Sequence, residues 1–204
     1  MEALVLATRN PHKLAELRRI AAAAGLRVRV LGLDEVTPYP EPEETERTFA
    51  GNALLKARAA ASATGQAALA DDSGIEVDVL NGMPGVRSAR WAGPEASDAD
   101  NLQLLLRQVA DVPDAARAAR FVCAMALVLP DGSEHVVSGV LEGTLARAPR
   151  GGHGFGYDPA FVPVGHDRTT AELAPDEKDA ISHRGQAVRA MVALIAGLGE
   201  GERA

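Results

Sequence analysis

The run Ala67-Ala-Leu-Ala-Asp71-Asp72-Ser73-Gly74-Ile75-Glu-Val77 constrains the fold more than any other part of this chain. Its first four residues carry no charge and suit an interior strand; two adjacent carboxylates follow at once. We read a buried strand that delivers two acids to the lip of a sheet, with Gly74 letting the backbone turn away. Ligand sites in α/β sheets gather at such strand ends. Two carboxylates about 4 Å apart repel by ~4 kcal/mol at an effective dielectric of 20, and a hard divalent cation reverses that sign. A surface turn uses the same residue types, so the rest of the chain has to decide.

Ala3 to Ala7 reads as a buried first strand running into Thr8-Arg9-Asn10-Pro11-His12-Lys13. A helix follows through Leu14, Leu17 and Ile20 to Ala24, stopped by Gly25. The loop between them offers backbone amides and a helix N-terminus to an anion, while Asn10 and Pro11 also suit an N-cap and first helical position. No Gly-Lys pair occurs, so this is not a Walker A loop. Leu26 to Leu31 alternates as a half-exposed strand. Pro38, Pro40 and Pro42 with Glu41, Glu43, Glu44 and Glu46 make an acidic irregular loop. It is a solvated loop by default; one of its acids could complete a metal sphere with Asp72.

Thr48 to Thr64 carries apolar residues at helical spacing and is closed by Gly65. Ser97 or Asp98 caps a further helix through Leu102, Leu105, Leu106 and Val109. Ala118 to Leu129 and His135 to Leu141 flank the turn Pro130-Asp131-Gly132-Ser133, a hairpin that reads as a second lobe. Gly151-Gly152-His153-Gly154-Phe155-Gly156-Tyr157-Asp158 is pliant enough to approach a flat ligand, with Phe155 or Tyr157 available to stack. Ser182 caps the closing helix, which places His183 and Arg184 on its first turn, where an anion or carbonyl is favoured. The tail is expected to fray from Gly197, about 199–204 above all.

Size and charge narrow the function. A chain of 204 residues suits one domain or two lobes sharing a core, and with only 3% aromatic residues that core must be aliphatic and alanine-rich. A net charge of −7 argues against sequence-blind nucleic-acid binding, though not against a single nucleotide. The N-terminus has no signal-peptide pattern, no apolar run reaches the roughly 20 residues of a membrane span, and Cys123 is the only cysteine. A soluble, cytoplasmic protein is expected. Of 21 basic residues only Lys13, Lys56 and Lys178 are lysine. A chain that fills its surface with arginine can reserve lysine for compact point charges against phosphate.

Thr8-x-Asn10-x-x-Lys13, Phe49-x-x-Asn52-Ala-x-x-Lys56-Ala, Ala70-Asp-Asp-Ser-Gly74, Pro84-Gly85, Phe155-Gly-Tyr-Asp-Pro159 and Ser182-His-Arg-Gly185 occur in order. Together they resemble the inosine triphosphate pyrophosphatase family, from Leu4 to about Leu198. The resemblance implies one α/β domain over 1–204: a long central mixed β-sheet flanked by helices, two lobes with the active cleft between them, and a homodimer. It implies Mg2+-dependent hydrolysis of ITP, dITP or XTP to the nucleoside monophosphate and pyrophosphate, which cleanses the nucleotide pool. Carried onto this sequence, it assigns phosphates to Thr8, Asn10 and Lys13 with Lys56 nearby. Metal goes to Glu44 and Asp72, with Asp72 as the catalytic acid and Ser73 touching substrate. The base pocket falls to Phe155, Gly156, Tyr157, Asp158, Lys178, His183 and Arg184. All three lysines lie on motif positions. Arg9 and Gly51 depart from the family pattern, and Glu43 stands beside Glu44 as the alternative ligand. A non-catalytic nucleotide sensor and a general nucleoside triphosphate phosphohydrolase are the rival functions. The acidic pair favours the enzyme, because a sensor needs no water-activating acid.

Overall fold

The structure, a computed structural model, describes residues 3–25 and 27–201. The chain forms two compact units. Unit 1 is drawn from Met1–Asp72, Cys123–Ser138 and Gly185–Ala204; unit 2 from Ser73–Val122 and Gly139–Arg184. The strands are β1 (Ala3–Leu6), β2 (Arg29–Leu31), β3 (Ala68–Val77), β4 (Ala118–Val128), β5 (Glu134–Leu145) and β6 (Phe161–Pro163). The helices are α1 (Pro11–Ala23), α2 (Phe49–Thr64), α3 (Asp98–Gln108), α4 (Pro175–Ile181) and α5 (His183–Gly201). Strand order is β2-β1-β3-β4-β5-β6. β1 runs parallel to β2 and β3, and β5 antiparallel to β6, so the sheet is mixed.

In unit 1 the strand period of two sorts side chains onto two faces. Leu4, Leu6, Leu69, Cys123, Met125 and Leu127 pack with Leu17 and Ala21 of α1 and with Val188, Met191, Val192 and Ile195 of α5. Val5, Ala68, Ala70, Ala126 and Val128 pack with Ala53, Ala57 and Ala60 of α2. The alanine-rich core expected from composition is thus the seam between α2 and the sheet. Thr48 caps α2 by accepting the Gly51 N–H, and Gly65 closes it in the left-handed conformation. In unit 2, Ile75 and Val77 of β3 gather with Leu102, Leu105, Leu106 and Val109 of α3, with Ala119 and Phe121, and with Tyr157, Ala160 and Phe161. Ser97 caps α3 in a box completed by Asp100.

Several expectations need correction. β3 does not end at the acids: it runs unbroken from Ala68 to Val77, with Asp71, Asp72, Ser73 and Gly74 inside it. Gly74 serves close approach rather than a turn. A Cβ there would lie 2.4 Å from Ser88 Oγ and 2.6 Å from the Gly85 carbonyl. That hydroxyl accepts the Ile75 N–H at 2.9 Å and donates to Gly85 O at 2.6 Å, so the segment Gly85–Arg90 rides directly on the strand. The β4–β5 hairpin is not a lobe of its own; its tip, Cys123–Ser138, belongs to unit 1. β5 extends past Leu141 to Leu145, and β2 is limited to Arg29–Leu31, Leu26 lying outside the described residues. The tail from Gly197 is helical as far as Gly201, and 202–204 lie outside the described residues. Among the described residues no helix is long and apolar enough to cross a membrane.

Candidate active site

Unit 1 holds one cluster. β3 is buried on both faces, and its alternation sends Asp71 to the Leu69 side and Asp72 to the Ala70 side. The two carboxylates therefore do not face each other as a pair; each takes a different helix. Asp71 accepts the Lys13 ammonium of α1 at 2.7 Å. Asp72 Oδ2 accepts Asn52 Nδ2 of α2 at 3.0 Å, while its Oδ1 lies 3.8 Å from Lys56 Nζ. The same lysine donates to Glu44 Oε1 at 3.0 Å, so one ammonium is shared by the loop acid and the strand acid. Glu44 is half-buried and Glu43 exposed, which separates the two neighbours.

Burial pushes the Asp72 carboxyl above its ordinary range; Lys56 opposes this, followed by the Asn52 hydrogen bond, while Glu44 adds to it. At the start of α1, Thr8 Oγ1 accepts the Asn10 N–H at 3.2 Å, and Asn10 Oδ1 accepts the Lys13 N–H at 3.4 Å. Thr8, Asn10 and Lys13 are all half-buried there. Asn52 is the residue the sequence reading quoted but gave no task. Both ends of its amide are engaged, Nδ2 on Asp72 and Oδ1 accepting the Glu46 N–H at 3.0 Å. One buried side chain thereby ties the strand acid to the acidic loop.

Among the described residues no group of three or more His, Cys, Asp and Glu side chains is gathered to hold a metal by itself. What the cluster offers is two hard oxygen donors, Glu44 and Asp72, either side of a position already suited to a cation. That donor set fits magnesium, which takes one or two carboxylates and completes its shell with water and substrate phosphates.

Unit 2 holds a second cluster. Phe155 is 46% exposed, whereas Tyr157 is buried and its hydroxyl donates to Ser88 O at 2.7 Å. Of the two aromatic rings, Phe155 is thus the one open to stacking, and burial drives the Tyr157 hydroxyl pKa well upward. Lys178 Nζ lies 5.3 Å and Arg184 Cζ 5.9 Å from the Phe155 ring centroid. Lys178 also meets Asp158 Oδ2 at 2.5 Å, and Arg184 donates to Ser73 Oγ at 2.9 Å. Asp158 is buried, and its Oδ1 accepts from Thr170 Oγ1 at 2.8 Å. Gly154 has no side chain because the Asp158–Lys178 pair fills that space: a Cβ would meet Asp158 Oδ2 at 2.2 Å. The His183 ring stacks on Phe121, centroids 4.9 Å apart.

Each cluster thus pairs lysine with carboxylate. A profile of the Ham1 family matches residues 4–194. The chain belongs to the Ham1 family. It is 58% identical over 197 residues to the dITP/XTP pyrophosphatase of Cutibacterium acnes, covering 96% of this chain and 97% of that one. To the dITP/XTP pyrophosphatase of Mycobacterium tuberculosis it is 56% identical over 199 residues, covering 97% of each. It is similar to the crystal structure of a nucleoside-triphosphatase / dITP/XTP pyrophosphatase from Mycobacterium abscessus. The TM-score there is 0.79 at 53% identity, over 93% of this chain and 98% of that one. A HAM1 protein from Coxiella burnetii superposes with a TM-score of 0.89 at 44% identity, over 97% of this chain and all of the other.

The mixed sheet flanked by helices is therefore a Ham1 architecture, as the motif resemblance implied. In this Ham1 chain the two departures from pattern have structural reasons. Arg9 is exposed and turns to Glu41 at 2.7 Å, fastening the acidic loop to the β1–α1 loop. Gly51 leaves room for Glu46, whose Cβ would lie 2.7 Å from any Cβ placed there.

Proposed function

We propose that the protein is a Mg2+-dependent pyrophosphatase of the non-canonical purine nucleoside triphosphates ITP, dITP and XTP. It would release the nucleoside monophosphate and pyrophosphate. The observation that carries this reading is the ammonium of Lys56 shared between Glu44 and Asp72, at 3.0 and 3.8 Å. Two oxygen donors flank a cation position, and the strand acid beside it is poised by burial to take a proton. The names of the relatives supply the substrate class.

The unit 1 cluster has the chemistry for a triphosphate, and the unit 2 cluster has that for a purine base. In unit 1, Lys13, Lys56 and the Thr8–Asn10 loop neutralise and orient the triphosphate. Asn52 donates to Asp72 Oδ2 and so fixes the carboxylate, and Asp72 accepts the proton of the attacking water. The water oxygen bonds to the α-phosphorus, the bond from that phosphorus to the α–β bridging oxygen breaks, and pyrophosphate departs in line. Glu44 and Asp72 would hold Mg2+, whose chemistry there would be to offset phosphate charge and to acidify the attacking water.

In unit 2, Phe155 stacks on the base, Ser73 touches substrate, and Lys178, His183 and Arg184 line the base pocket as donors to a 6-keto group. Gly156, Tyr157 and Asp158 belong to the same pocket through the loop they build. Adenine presents an amino group at that position, and a donor left facing a donor loses about 1–3 kcal/mol. A cytoplasmic location is in keeping with the single cysteine, and we infer a homodimer from the motif resemblance.

One panel tests the reading: ITP, dITP, XTP, ATP and GTP with Mg2+, scored for pyrophosphate. Release from the first three well above the last two is expected. Tight nucleotide binding without release would make the protein a sensor, and equal rates on ATP would make it a general phosphohydrolase.

A further inference from the structure

Phe155 stands out because its ring is exposed yet its position matters for stacking. A ring 46% exposed is held only in part by its neighbours, so the backbone that carries it contributes to its orientation. Two hydrogen bonds hold that backbone. The Phe155 N–H donates to Asp158 Oδ2 at 2.9 Å, and the Gly156 N–H donates to Asp98 Oδ2 at 2.9 Å. These amides belong to the two peptide planes on either side of the Phe155 Cα. Holding both planes fixes φ and ψ of Phe155, and with them the direction in which its ring leaves the chain. The next residue is anchored as well, through Tyr157 to Ser88.

The two ties differ in origin. Asp158 is local, and it is itself fastened to Thr170 and Lys178. Asp98 comes from the first turn of α3, 58 residues away in sequence. The cap of that helix is completed by Ser97 and Asp100, so Asp98 is not needed for it. Gly156 takes φ +60°, a conformation that an L side chain disfavours.

We propose that Asp98 is a positioning residue of the base site: it holds the Gly156 amide, and through it the stacking face of Phe155. The inference rests on the reading of Phe155 as the base platform given above. Because the base lies at the far end of the substrate from the bond that breaks, Asp98 contributes equally to ground and transition states. Its loss therefore falls on KM.

The test is a double-mutant cycle on the full chain with ITP and Mg2+. Asp98→Ala should raise KM about three- to tenfold with kcat within about twofold of wild type. Asp98→Asn, which keeps a carbonyl acceptor, should recover most of that loss. In a Phe155→Ala background Asp98→Ala should change nothing further, since the ring it orients is gone. Thermal unfolding of each variant accompanies the kinetics. Unchanged KM in Asp98→Ala overturns the proposal. So does an equal loss in both backgrounds, a fall confined to kcat, or a loss that tracks lowered stability. If the wild type binds ITP without hydrolysing it, the enzymatic reading fails alone; the same cycle, read as ITP affinity by calorimetry, then decides Asp98. If it binds no ITP, both fall.

Discussion

Gly74→Ala is the sharpest perturbation the structure offers, because it converts a close approach inside β3 into a measurable strain. The added methyl would sit 2.4 Å from Ser88 Oγ, 2.9 Å from Ser88 Cβ and 2.6 Å from the Gly85 carbonyl. Two of these atoms belong to a side chain that can rotate, but the carbonyl belongs to backbone. Overpacking of this kind costs about 1–3 kcal/mol. If Ser88 turns aside, the Ile75 N–H and Gly85 O lose their buried partner, adding about 1 kcal/mol. The sum is about 2–4 kcal/mol, which for a chain of this size lowers Tm by about 4–16 °C.

Thermal unfolding of Gly74→Ala against wild type reads this directly. Pairing it with Ser88→Ala separates the two contacts: the double variant should regain part of the loss, the Gly85 carbonyl preventing full recovery. Activity should fall as well, since Asp72 and Ser73 precede the strained residue on the same strand. Gly74→Ala with the Tm of wild type would refute the packing argument and return Gly74 to the role of a turn residue.

Other outcomes follow from the same contacts. Asn52→Leu removes the donor to Asp72 and the acceptor of the Glu46 N–H, so kcat/KM should drop about 10–100-fold, in the range typical of partners that orient metal-binding carboxylates. The acid limb of its pH–rate profile should also move to higher pH, because a hydrogen bond to the ionised carboxylate is lost. Asp72 itself is held above its ordinary pKa, so the folded state keeps the proton more tightly than the unfolded one. Its contribution is fully present below the unfolded value of 3.8 and declines as pH rises through the raised one. Asp72→Asn should therefore abolish most turnover yet, without metal, melt higher at neutral pH than wild type. Arg117 is buried and donates to three carbonyls, of Val109, Leu145 and Ala146. Arg117→Met should lose about 2–4 kcal/mol by chemical denaturation with kcat of the surviving fold unchanged.

Much of this was legible because local rules acted alone. The caps at Thr48 and Ser97, the left-handed Gly65 and the alanine face of α2 follow from the spacing of a few residues. The three lysines were visible by their rarity, and each meets a carboxylate within unit 1 or unit 2. What the sequence hid depends on partners far along the chain. Asp and Ser in Asp71-Asp72-Ser73-Gly74 read as strand-ending, but burial of β3 on both faces keeps it extended, and Lys13, Asn52 and Arg184 supply the polar partners that make this tolerable. A turn and a crowded strand both select glycine, so Gly74 could not distinguish them without Ser88. Arg117 carries no local signal that would mark it, because the three carbonyls that close around it come from other parts of the chain. The exchange between Tyr157, which is buried, and Phe155, which is open, rests on Ser88 as well.

The central claim is that water held at Asp72 attacks the α-phosphorus. Hydrolysis of ITP in 18O-labelled water, followed by phosphorus NMR, locates the new oxygen. The account predicts inosine monophosphate carrying the label and unlabelled pyrophosphate as the sole products. Label in pyrophosphate or orthophosphate would place the attack on another phosphorus and contradict it.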